Sequence, residues 1–399
     1  MNTFLKLLRY NLTPVKKGRW VFTSFRGHYS DNPKAISEKL HDLAPEIEIV
    51  WLVEERFLSL LPSYVTGVEI HTKAAEKYRA SAQVLVDNVY AERACPLQGK
   101  GFATRLKAGL LSFFYKTKSK KQKVFTTWHG TPLKRMGKDQ IGSTASGFVG
   151  QKTVGLMGNR FTAEIIEGIT YGKIKTVLTG SPRNDCLLVD EDKAKIKKNL
   201  GLPTDKKLVL FAPTFRNDGK DLHEQNIERS GLGQLQAIDF ERLFATLKEK
   251  FGGEFALVCR FHYHVENAVD WAALEKLSGG RIFNGNLHDD MAAYLACADV
   301  LITDASSSMF DFALTKRPCF LFFPDLTYYE EKERGFYLPI TTLPFPVSEN
   351  FETLLQTITS FSKEEYLNGL VSLEKDLGYA EDGSAAENAV KYILERTGE

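Results

Sequence analysis

The chain has 399 residues, of which 43% are hydrophobic and 26% charged, and its net charge at pH 7 is +2. This length allows two domains, and the composition is that of a globular protein, which excludes the disordered and fibrous classes. No apolar run reaches the ~18 residues that a membrane-spanning helix requires. The N-terminal apolar run contains lysine and arginine and has no small-residue cleavage site, so we expect no secretory signal and a cytoplasmic protein.

The five cysteines occur singly and form no CxxC pair. This spacing argues against a zinc ribbon or a disulfide framework and is typical of a reducing compartment. We expect each cysteine to be a small buried apolar residue.

Basic residues are concentrated in two segments, 1–20 with five Lys or Arg and 101–123 with seven, and neither segment contains an acidic residue. Without these twelve, the chain carries 40 basic and 50 acidic residues, a net charge of −10. This distribution argues against nucleic-acid binding and predicts two local surfaces that meet an anionic partner.

If residues 102–114 are helical, large apolar side chains lie along one face, and a run of lysines follows. That pattern is typical of a helix that lies on an anionic membrane, and residues 1–13 have a shorter version of it. The alternative is a core-packed helix with a solvated basic tail. The predicted membrane contacts are Leu5, Leu8, Phe102, Leu106, Leu110, Phe113, Phe114, Lys116, Lys118, Lys120 and Lys121.

Two series of buried β-rich runs alternate with helical patterns such as Asn32–Leu43. The predicted strands of the first series are Trp20–Phe25, Glu48–Val53, Gln83–Asn88, Lys123–Trp128, Thr153–Gly158 and Lys175–Gly180. A charged helical stretch, Asp190–Leu200, ends at a Gly-Leu-Pro stop signal. The predicted strands of the second series are Lys207–Thr214, Phe255–His262, Arg281–Gly285, Val300–Ser306 and Cys319–Asp325.

Strands that alternate with helices predict parallel sheets, so we expect an α/β protein with two doubly wound, Rossmann-type domains. The predicted regions are an amphipathic N-terminus at 1–13, an N-terminal domain at 14–189, a C-terminal domain at 201–362 and closing helices at 363–399. Ligands of such sheets bind at the carboxyl ends of the strands, and we expect these ends to face one central cleft.

The segment TTWHGTPLKRMG, residues 126–137, follows a predicted strand into a loop. His129 is the side chain best suited to accept a proton near neutral pH, and Gly130 allows close approach of the backbone to a ligand. The alternative for His129 is a structural role at a strand end.

A second segment, ITDASSSMFDF at 302–312, ends a strand at Thr303 and Asp304 and begins a helix at the serines. Free N–H groups and hydroxyls at a helix start suit a phosphate, although the same residues are ordinary helix caps. In RFHYHV, Arg260 and His262 share one strand face and could bind a phosphate or lie on the surface.

Three further loops, GSPRND (180–185), APTFR (212–216) and ERGFYLP (333–339), are weak signals individually, because turn chemistry alone explains them. The absence of three kinds of motif narrows the range of possible functions. The sequence lacks a Walker A motif, has no GxGxxG after its first strand, and has neither HExxH nor clustered carboxylates for a built-in metal site.

These six segments, WHGTP, GSPRND, APTFR, RFHY, ITDASS and RGFY, occur in the order in which they occur in the CDP-glycerol:poly(glycerophosphate) glycerophosphotransferase family. The sequence resembles that family over roughly residues 15–360, and six ordered motifs are a specific signal. The resemblance implies a GT-B-like pair of domains, with the acceptor on the N-terminal domain and a CDP-glycerol or CDP-ribitol donor on the C-terminal domain. It also implies an acceptor linked to undecaprenyl diphosphate and peripheral attachment to the cytoplasmic face of the membrane.

The resemblance assigns His129 as the base and His262 as a second essential histidine beside the donor phosphates. Ala305 stands where the family usually has tyrosine. The predicted donor-binding residues are Thr214, Arg216, Arg260, Thr303, Asp304, Ser306, Ser307 and Arg334, and the predicted acceptor-side residues are Gly130, Thr131, Pro182, Arg183, Asn184 and Asp185. A Mg²⁺ ion could accompany the donor, and no nucleic acid is expected.

Two other functions fit the sequence less well. A GT-B glycosyltransferase would share the fold but transfer a sugar from a sugar nucleotide. A non-catalytic membrane protein that binds an anionic polymer would use the basic segments, but it would not need two histidines beside phosphate-suited loops. The sequence fits glycerol and ribitol, single addition and polymerisation, and teichoic acid and capsule products equally.

Overall fold

The computed structural model describes residues 3–89, 118, 120–140, 153–189, 192–214, 231–261, 269–332 and 335–398. The chain forms two compact units. Unit 1 consists of Met1–His129, Ala145–Asp185 and Tyr379–Glu399, and unit 2 consists of Gly130–Thr144 and Cys186–Gly378.

Unit 1 contains a parallel sheet of seven strands in the order β3-β2-β1-β4-β5-β6-β7. This is the order of a doubly wound sheet, and it follows when right-handed crossovers add strands outward from β1 in both directions. The strands are β1 Arg19–Thr23, β2 Glu48–Val53, β3 Thr66–Glu69, β4 Val84–Asp87, β5 Lys123–Thr126, β6 Thr153–Met157 and β7 Lys175–Leu178.

Unit 2 repeats this order in a six-stranded parallel sheet, β10-β9-β8-β11-β12-β13. The strands are β8 Lys207–Ala212, β9 Phe255–Cys259, β10 Ile282–Asn284, β11 Val300–Thr303, β12 Cys319–Phe322 and β13 Val347–Ser348. The two sheets confirm the predicted α/β class with two Rossmann-type domains.

The described helices connect the strands and end the chain. They are α1 Thr3–Leu12, α2 Asp31–Leu43, α3 Lys73–Ser81, α4 Arg160–Ile169, α5 Asp185–Leu188, α6 Lys193–Asn199, α7 Gly231–Gln236, α8 Phe240–Phe251, α9 Trp271–Leu277, α10 Met291–Cys297, α11 Ser308–Ala313, α12 Leu326–Lys332, α13 Phe351–Ser360, α14 Lys363–Leu377 and α15 Ala385–Thr397. Short 3₁₀ turns occur at Glu55–Leu60, Gly137–Asp139, Pro182–Asn184 and Ile340–Thr342.

The core of unit 1 covers both faces of its sheet, because successive strand residues point to opposite sides. Trp20, Phe22 and Trp51 are buried on one face together with Val390 and Ile393 of α15. A second apolar cluster, which includes Val21, Val50 and Leu52 of the same strands, covers the other face. Burial of each such side chain contributes about 1.5–3 kcal/mol, so the last helix is an integral part of unit 1.

The observed strands begin within a residue of the predicted starts, but most end two or three residues earlier than predicted. The apolar and small residues at the predicted ends belong to the loops that leave the carboxyl edge of each sheet. The sequence analysis did not predict β3, because it is an exposed edge strand without a buried apolar run. It also did not predict the two-residue strand β13.

The two units also differ from the predicted domain boundaries. Residues 363–399 were expected to close the chain together, yet α14 belongs to unit 2 and α15 to unit 1. The chain therefore returns to unit 1 after Gly378, a left-handed residue with φ 61° that ends α14. Residues 130–144, expected in the N-terminal domain, belong to unit 2.

The N-terminal helix α1 is tied to unit 1 by a buried lysine. The Lys118 ammonium donates to the carbonyl oxygens of Tyr10, Thr13 and Ala80 at 2.6, 2.9 and 2.5 Å. Its side chain is almost fully buried, so the prediction of a membrane contact for Lys118 is wrong: the cation satisfies backbone acceptors instead.

The remaining membrane predictions fall on different parts of the structure. Leu8 is half-buried, and Lys120 and Lys121 are exposed. The side chains of Leu5, Phe102, Leu106, Leu110, Phe113, Phe114 and Lys116 lie outside the described residues. Within the described part of the chain, no helix has both the length and the apolar character needed to cross a bilayer.

We predict that Gly180→Ala destabilises the protein by about 1–3 kcal/mol. Gly180 has φ 81°, and an added Cβ would lie 2.5 Å from Cβ of Ala385 and 3.0 Å from the carbonyl oxygen of Ala380. Urea unfolding measures the change. The control is Gly168→Ala in α4, where nothing lies within 4 Å and the substitution should be neutral or stabilise by up to about 1 kcal/mol. Equal effects of the two substitutions would contradict the contact between Gly180 and the C-terminal segment.

Candidate active site

His129 lies at the carboxyl edge of the sheet in unit 1, three residues after β5 ends. Its Nδ1 is 2.9 Å from the carbonyl oxygen of Asn88, the residue that follows the neighbouring strand β4. A carbonyl oxygen can only accept a hydrogen bond, so Nδ1 carries the proton. The lone pair of the neutral ring is therefore on Nε2, which leaves that nitrogen to accept a proton from a ligand.

Asn88 also fixes the aromatic side chain that packs against His129. Asn88 is fully buried, and its Oδ1 accepts a hydrogen bond from the Phe25 N–H at 2.9 Å. The Phe25 ring meets the His129 ring edge to face at 5.4 Å, and the Trp128 ring lies 4.1 Å away. The loops that follow β1, β4 and β5 thus jointly fix the position of the imidazole.

Left-handed backbone conformations are concentrated around this histidine. Among the described residues, six that are not glycine have positive φ, and four of them are Phe25 (41°), Arg26 (64°), Asp31 (64°) and Trp128 (53°). Such conformations cost of order 1–3 kcal/mol each and persist only where surrounding contacts impose them. Their clustering supports His129 as the functional group of this unit.

A nearly buried ion pair lies behind the same loop. Arg183 Nη1 is 2.5 Å from Asp31 Oδ2, and the two side chains are 10% and 9% exposed. Asn32 connects this pair to the histidine loop, because its Nδ2 donates to the Trp128 carbonyl oxygen at 3.2 Å and its Oδ1 accepts from the Arg183 N–H at 3.0 Å. Arg183 is therefore engaged within unit 1.

Burial of the imidazole lowers the pKa of His129 below its ordinary value. The hydrogen bond to Asn88 and the nearby carboxylate of Asp31 oppose this effect, and the guanidinium of Arg183 adds to it. The ring is thus neutral at physiological pH, which is the state that a general base requires.

Most of the GSPRND loop holds the C-terminal segment of unit 1. The Asp185 carboxylate accepts the N–H groups of Ala385 and Ala386, both at 2.8 Å, and so caps α15. The Ser181 N–H donates to Glu381 Oε2 at 2.9 Å. Burial raises the pKa of Asp185. Asp185 therefore caps α15, and its predicted contact with the acceptor stays a prediction, while Pro182 and Asn184 are buried in the 3₁₀ turn.

The segment after His129 belongs to unit 2 and pairs with the RGFY motif. Gly130 has φ 134°, which favours glycine, and Thr131 is buried. An antiparallel bridge joins Lys134 to Phe336, and the Tyr337 hydroxyl donates to Asp139 Oδ2 at 2.8 Å. Burial is the main cause that raises the pKa of Tyr337 to about 12, so the hydroxyl stays protonated as this donor.

In unit 2, Thr303 and Asp304 organise the strand ends. Thr303 Oγ1 donates to the Ala212 carbonyl oxygen at 2.6 Å. Asp304 is fully buried, and its carboxylate accepts the N–H and hydroxyl of Thr214, both at 2.8 Å, and the amide of Gln234 at 3.2 Å. We had predicted direct donor contacts for Thr303 and Asp304, but their burial and internal hydrogen bonds give them a positioning role instead.

Ser306 and Ser307 directly follow this buried pair and precede α11. Both are half-buried, and the Ser306 hydroxyl lies 2.8 Å from that of Ser308. Ala305 is 1% exposed, so the small side chain at the position where the family usually has tyrosine is enclosed by protein.

Arg260 holds the loop that follows β10. Its guanidinium donates to the carbonyl oxygens of Gly285, His288 and Asp289 at 2.6, 2.6 and 2.8 Å and lies 5.2 Å from the Tyr294 ring centroid. These contacts hold the loop, and direct phosphate binding by Arg260 stays a prediction.

Three predicted residues, His262, Arg216 and Arg334, lie outside the described residues. In the part of the chain that is described, no three His, Cys, Asp or Glu side chains form a group that could hold a metal ion. The sequence analysis did not single out Phe25, Asp31, Asn32 or Asn88. The signal for Asn88 was its position at the end of a predicted strand next to the one that leads to His129.

The two parallel sheets and the histidine at a strand end place the chain among two-domain α/β proteins of the Rossmann type. The chain belongs to the CDP-glycerol:poly(glycerophosphate) glycerophosphotransferase family, whose model matches residues 5–395. The resemblance inferred from six motifs is confirmed.

Individual relatives agree with this assignment. The chain is 29% identical to the teichoic acid poly(glycerol phosphate) polymerase of Staphylococcus epidermidis over 86% of its own length and 47% of that protein's. It therefore spans about half the length of that relative. It is 26% identical to the teichoic acid glycerol-phosphate transferase of Staphylococcus aureus over 98% of the chain and 99% of that protein. The structure of the wall teichoic acid polymerase TagF is similar with a TM-score of 0.75 and 25% identity, covering 100% of this chain and 94% of that one.

We predict that Asp304→Ala destabilises the protein by at least about 2 kcal/mol, because the N–H of Thr214 and the amide of Gln234 lose their acceptor in a buried site. Chemical denaturation provides the measurement. Asp205→Ala, at a carboxylate that is 76% exposed, is the control and should change stability by less than about 0.5 kcal/mol. A stable Asp304→Ala protein would show that this carboxylate does not organise the strand ends.

Proposed function

We propose that the chain transfers glycerol phosphate or ribitol phosphate from a CDP-polyol to a hydroxyl group of a lipid-linked teichoic acid or capsule acceptor and releases CMP. The observation that carries this proposal is the geometry of His129. Its Nδ1 is engaged by Asn88, and its pKa is lowered by burial, so a neutral Nε2 is available as a base. Family membership over residues 5–395 gives this base a phosphotransfer context.

In the proposed reaction, Nε2 of His129 takes the proton from the terminal hydroxyl of the acceptor. The acceptor oxygen then forms a bond to the β-phosphorus of the donor. The bond from that phosphorus to the oxygen bridging the two phosphates breaks, and CMP leaves with the electron pair. Positioning and charge neutralisation supply most of the catalysis in phosphoryl transfer.

We assign donor binding to unit 2. Ser306 and Ser307 are half-buried beside Asp304, which is fixed by Thr214, and Arg260 lies at the same sheet edge. His262, Arg216 and Arg334 complete the proposed donor set on the basis of their motifs. A Mg²⁺ ion carried by the diphosphate would add to the same neutralisation.

We assign acceptor binding to unit 1, which contains the base His129. Gly130 and Thr131, which follow His129 in the sequence, complete the proposed acceptor set on the basis of their motif. An acceptor linked to undecaprenyl diphosphate would keep the enzyme at the cytoplasmic face of the membrane. The basic segment 101–123, apart from the buried Lys118, and the N-terminal helix α1 are the proposed contacts with anionic lipid.

The test of this function is the release of CMP from purified protein with CDP-glycerol and, separately, with CDP-ribitol. Vesicles that contain a lipid-linked teichoic acid primer provide the acceptor. We expect CMP release that depends on the primer and on one of the two donors, which identifies the polyol. Turnover of a sugar nucleotide by a protein that is inactive with both CDP-polyols would instead establish a glycosyltransferase. Absence of any nucleotide binding in calorimetry would favour a polymer-binding protein.

We predict that His129→Ala lowers the rate of CMP release by about 10²–10⁴ while the protein stays folded. The matched control is His71→Ala, because His71 is an exposed histidine of the same unit and its removal should leave the rate unchanged. Near-full turnover by the folded His129→Ala protein would exclude His129 as the base.

We also predict the direction of the pH dependence. A base must be neutral, and burial lowers the pKa of His129, so kcat/KM should stay constant from neutral pH down to below the ordinary histidine pKa of about 6.5 and fall only at lower pH. Initial rates of CMP release between pH 4.5 and 8.5 test this expectation. Loss of activity already at pH 7.5 would contradict a neutral, buried base.

A further inference from the structure

The Asp31–Arg183 ion pair lies beside His129 but has no part in the proton transfer described above. We propose that this pair positions the His129 loop and balances the charge next to the imidazole. The proposal rests on the proposed function, because it gives the pair a purpose only if His129 acts as a base.

Hydrogen bonds link the ion pair to the loop that contains His129. Asp31 begins α2 in a left-handed conformation with φ 64°, and its carboxylate binds Arg183 in the 3₁₀ turn that follows β7. Asn32 lies between them and the histidine loop, with one hydrogen bond to the Trp128 carbonyl oxygen and one from the Arg183 N–H. Movement of Arg183 would therefore displace the residue that directly precedes His129.

The alternative role for Arg183 is the predicted one, as an acceptor-side residue of the GSPRND loop. However, its side chain is only 10% exposed, and its guanidinium is 2.5 Å from a carboxylate. An arginine that is nearly buried against its own counter-ion is suited to hold the structure rather than to bind an incoming anion.

The two charges of the ion pair act on the imidazole in opposite directions. Asp31 favours the protonated imidazole and Arg183 disfavours it, with Asp31 the stronger of the two. Among the described residues, Phe25, Asn88 and Trp128 also contact the ring, and none of these three carries a charge. Because the two charges oppose each other, the pair stiffens the loop without strongly charging the surroundings of the base.

The test measures the pKa of His129 directly by NMR titration of protein labelled at its eight histidines. The His129 signal is assigned by its absence in His129→Gln. Asp31→Asn tolerates the left-handed conformation, and Arg183→Gln keeps most of the side-chain length. We expect the His129 pKa to be highest in Arg183→Gln, lower in wild type, lower still in the double variant and lowest in Asp31→Asn. The His129 pKa of each single variant should differ from that of wild type by about half a unit or more.

A purely structural role would not produce this order, because loosening of the loop would move both single variants in the same direction. Shifts in one direction in both variants, or no shift in either, would overturn the proposal. Arg183→Lys keeps the charge and should remain close to wild type. If a single variant fails to fold, the double variant provides the test, because it removes both charges and leaves neither unpaired. In that variant we expect a His129 pKa below that of wild type. An unchanged or higher value overturns the proposal.

The kinetic measurement separates this inference from the proposed function. The acid limb of CMP release should move to higher pH in Arg183→Gln and to lower pH in Asp31→Asn, following the NMR values. If the NMR order is observed but no CDP-polyol is turned over, the proposed function fails while the charge balance stands. If turnover is normal but the NMR order is absent, the inference fails alone.

Discussion

The hydrogen bond from His129 Nδ1 to the Asn88 carbonyl oxygen determines what the imidazole can do. It exists because β4 and β5 are parallel neighbours, so that the residues following both strands leave the sheet at the same edge. With Nδ1 engaged and the ring partly buried, the neutral form has its lone pair on Nε2. The left-handed residues around the ring and the Asp31–Arg183 pair contribute to the same result, since they hold the loops in which the histidine lies.

Several motif residues support the fold through contacts within their own unit. Asp185 caps the helix that completes unit 1, Asp304 binds Thr214 and Gln234 at the strand ends of unit 2, and Arg260 holds a loop through three carbonyl groups. Each satisfies buried or partly buried polar groups that would otherwise cost about 1–3 kcal/mol. A sequence motif thus contains both residues suited to act on a ligand and residues that position them. Only the contacts in the structure distinguish these two kinds of residue.

The alternation of buried strands and amphipathic helices was enough to predict both parallel sheets, and six ordered motifs identified the family. The sequence could not assign α15 to unit 1, because the apolar cluster that it shares with Trp20 and Trp51 joins residues more than 300 positions apart. The roles of Asn88 and Asn32 likewise depend on contacts between residues far apart in the sequence, and only Asn88 had a signal, its position at a strand end. The membrane contact assigned to Lys118 failed because a basic run does not reveal which of its members faces the backbone carbonyls of α1 and α3.

The central claim is that the acceptor attacks the β-phosphorus of a CDP-polyol. A donor labelled with ¹⁸O in the oxygen that bridges its two phosphorus atoms tests this claim directly, with the released nucleotide analysed by mass spectrometry. We expect CMP that carries the label, because the bond between the β-phosphorus and the bridging oxygen is the one that breaks. Release of CDP would mean attack at the polyol carbon, and unlabelled CMP would mean cleavage at the α-phosphorus. Either result would contradict the proposed reaction.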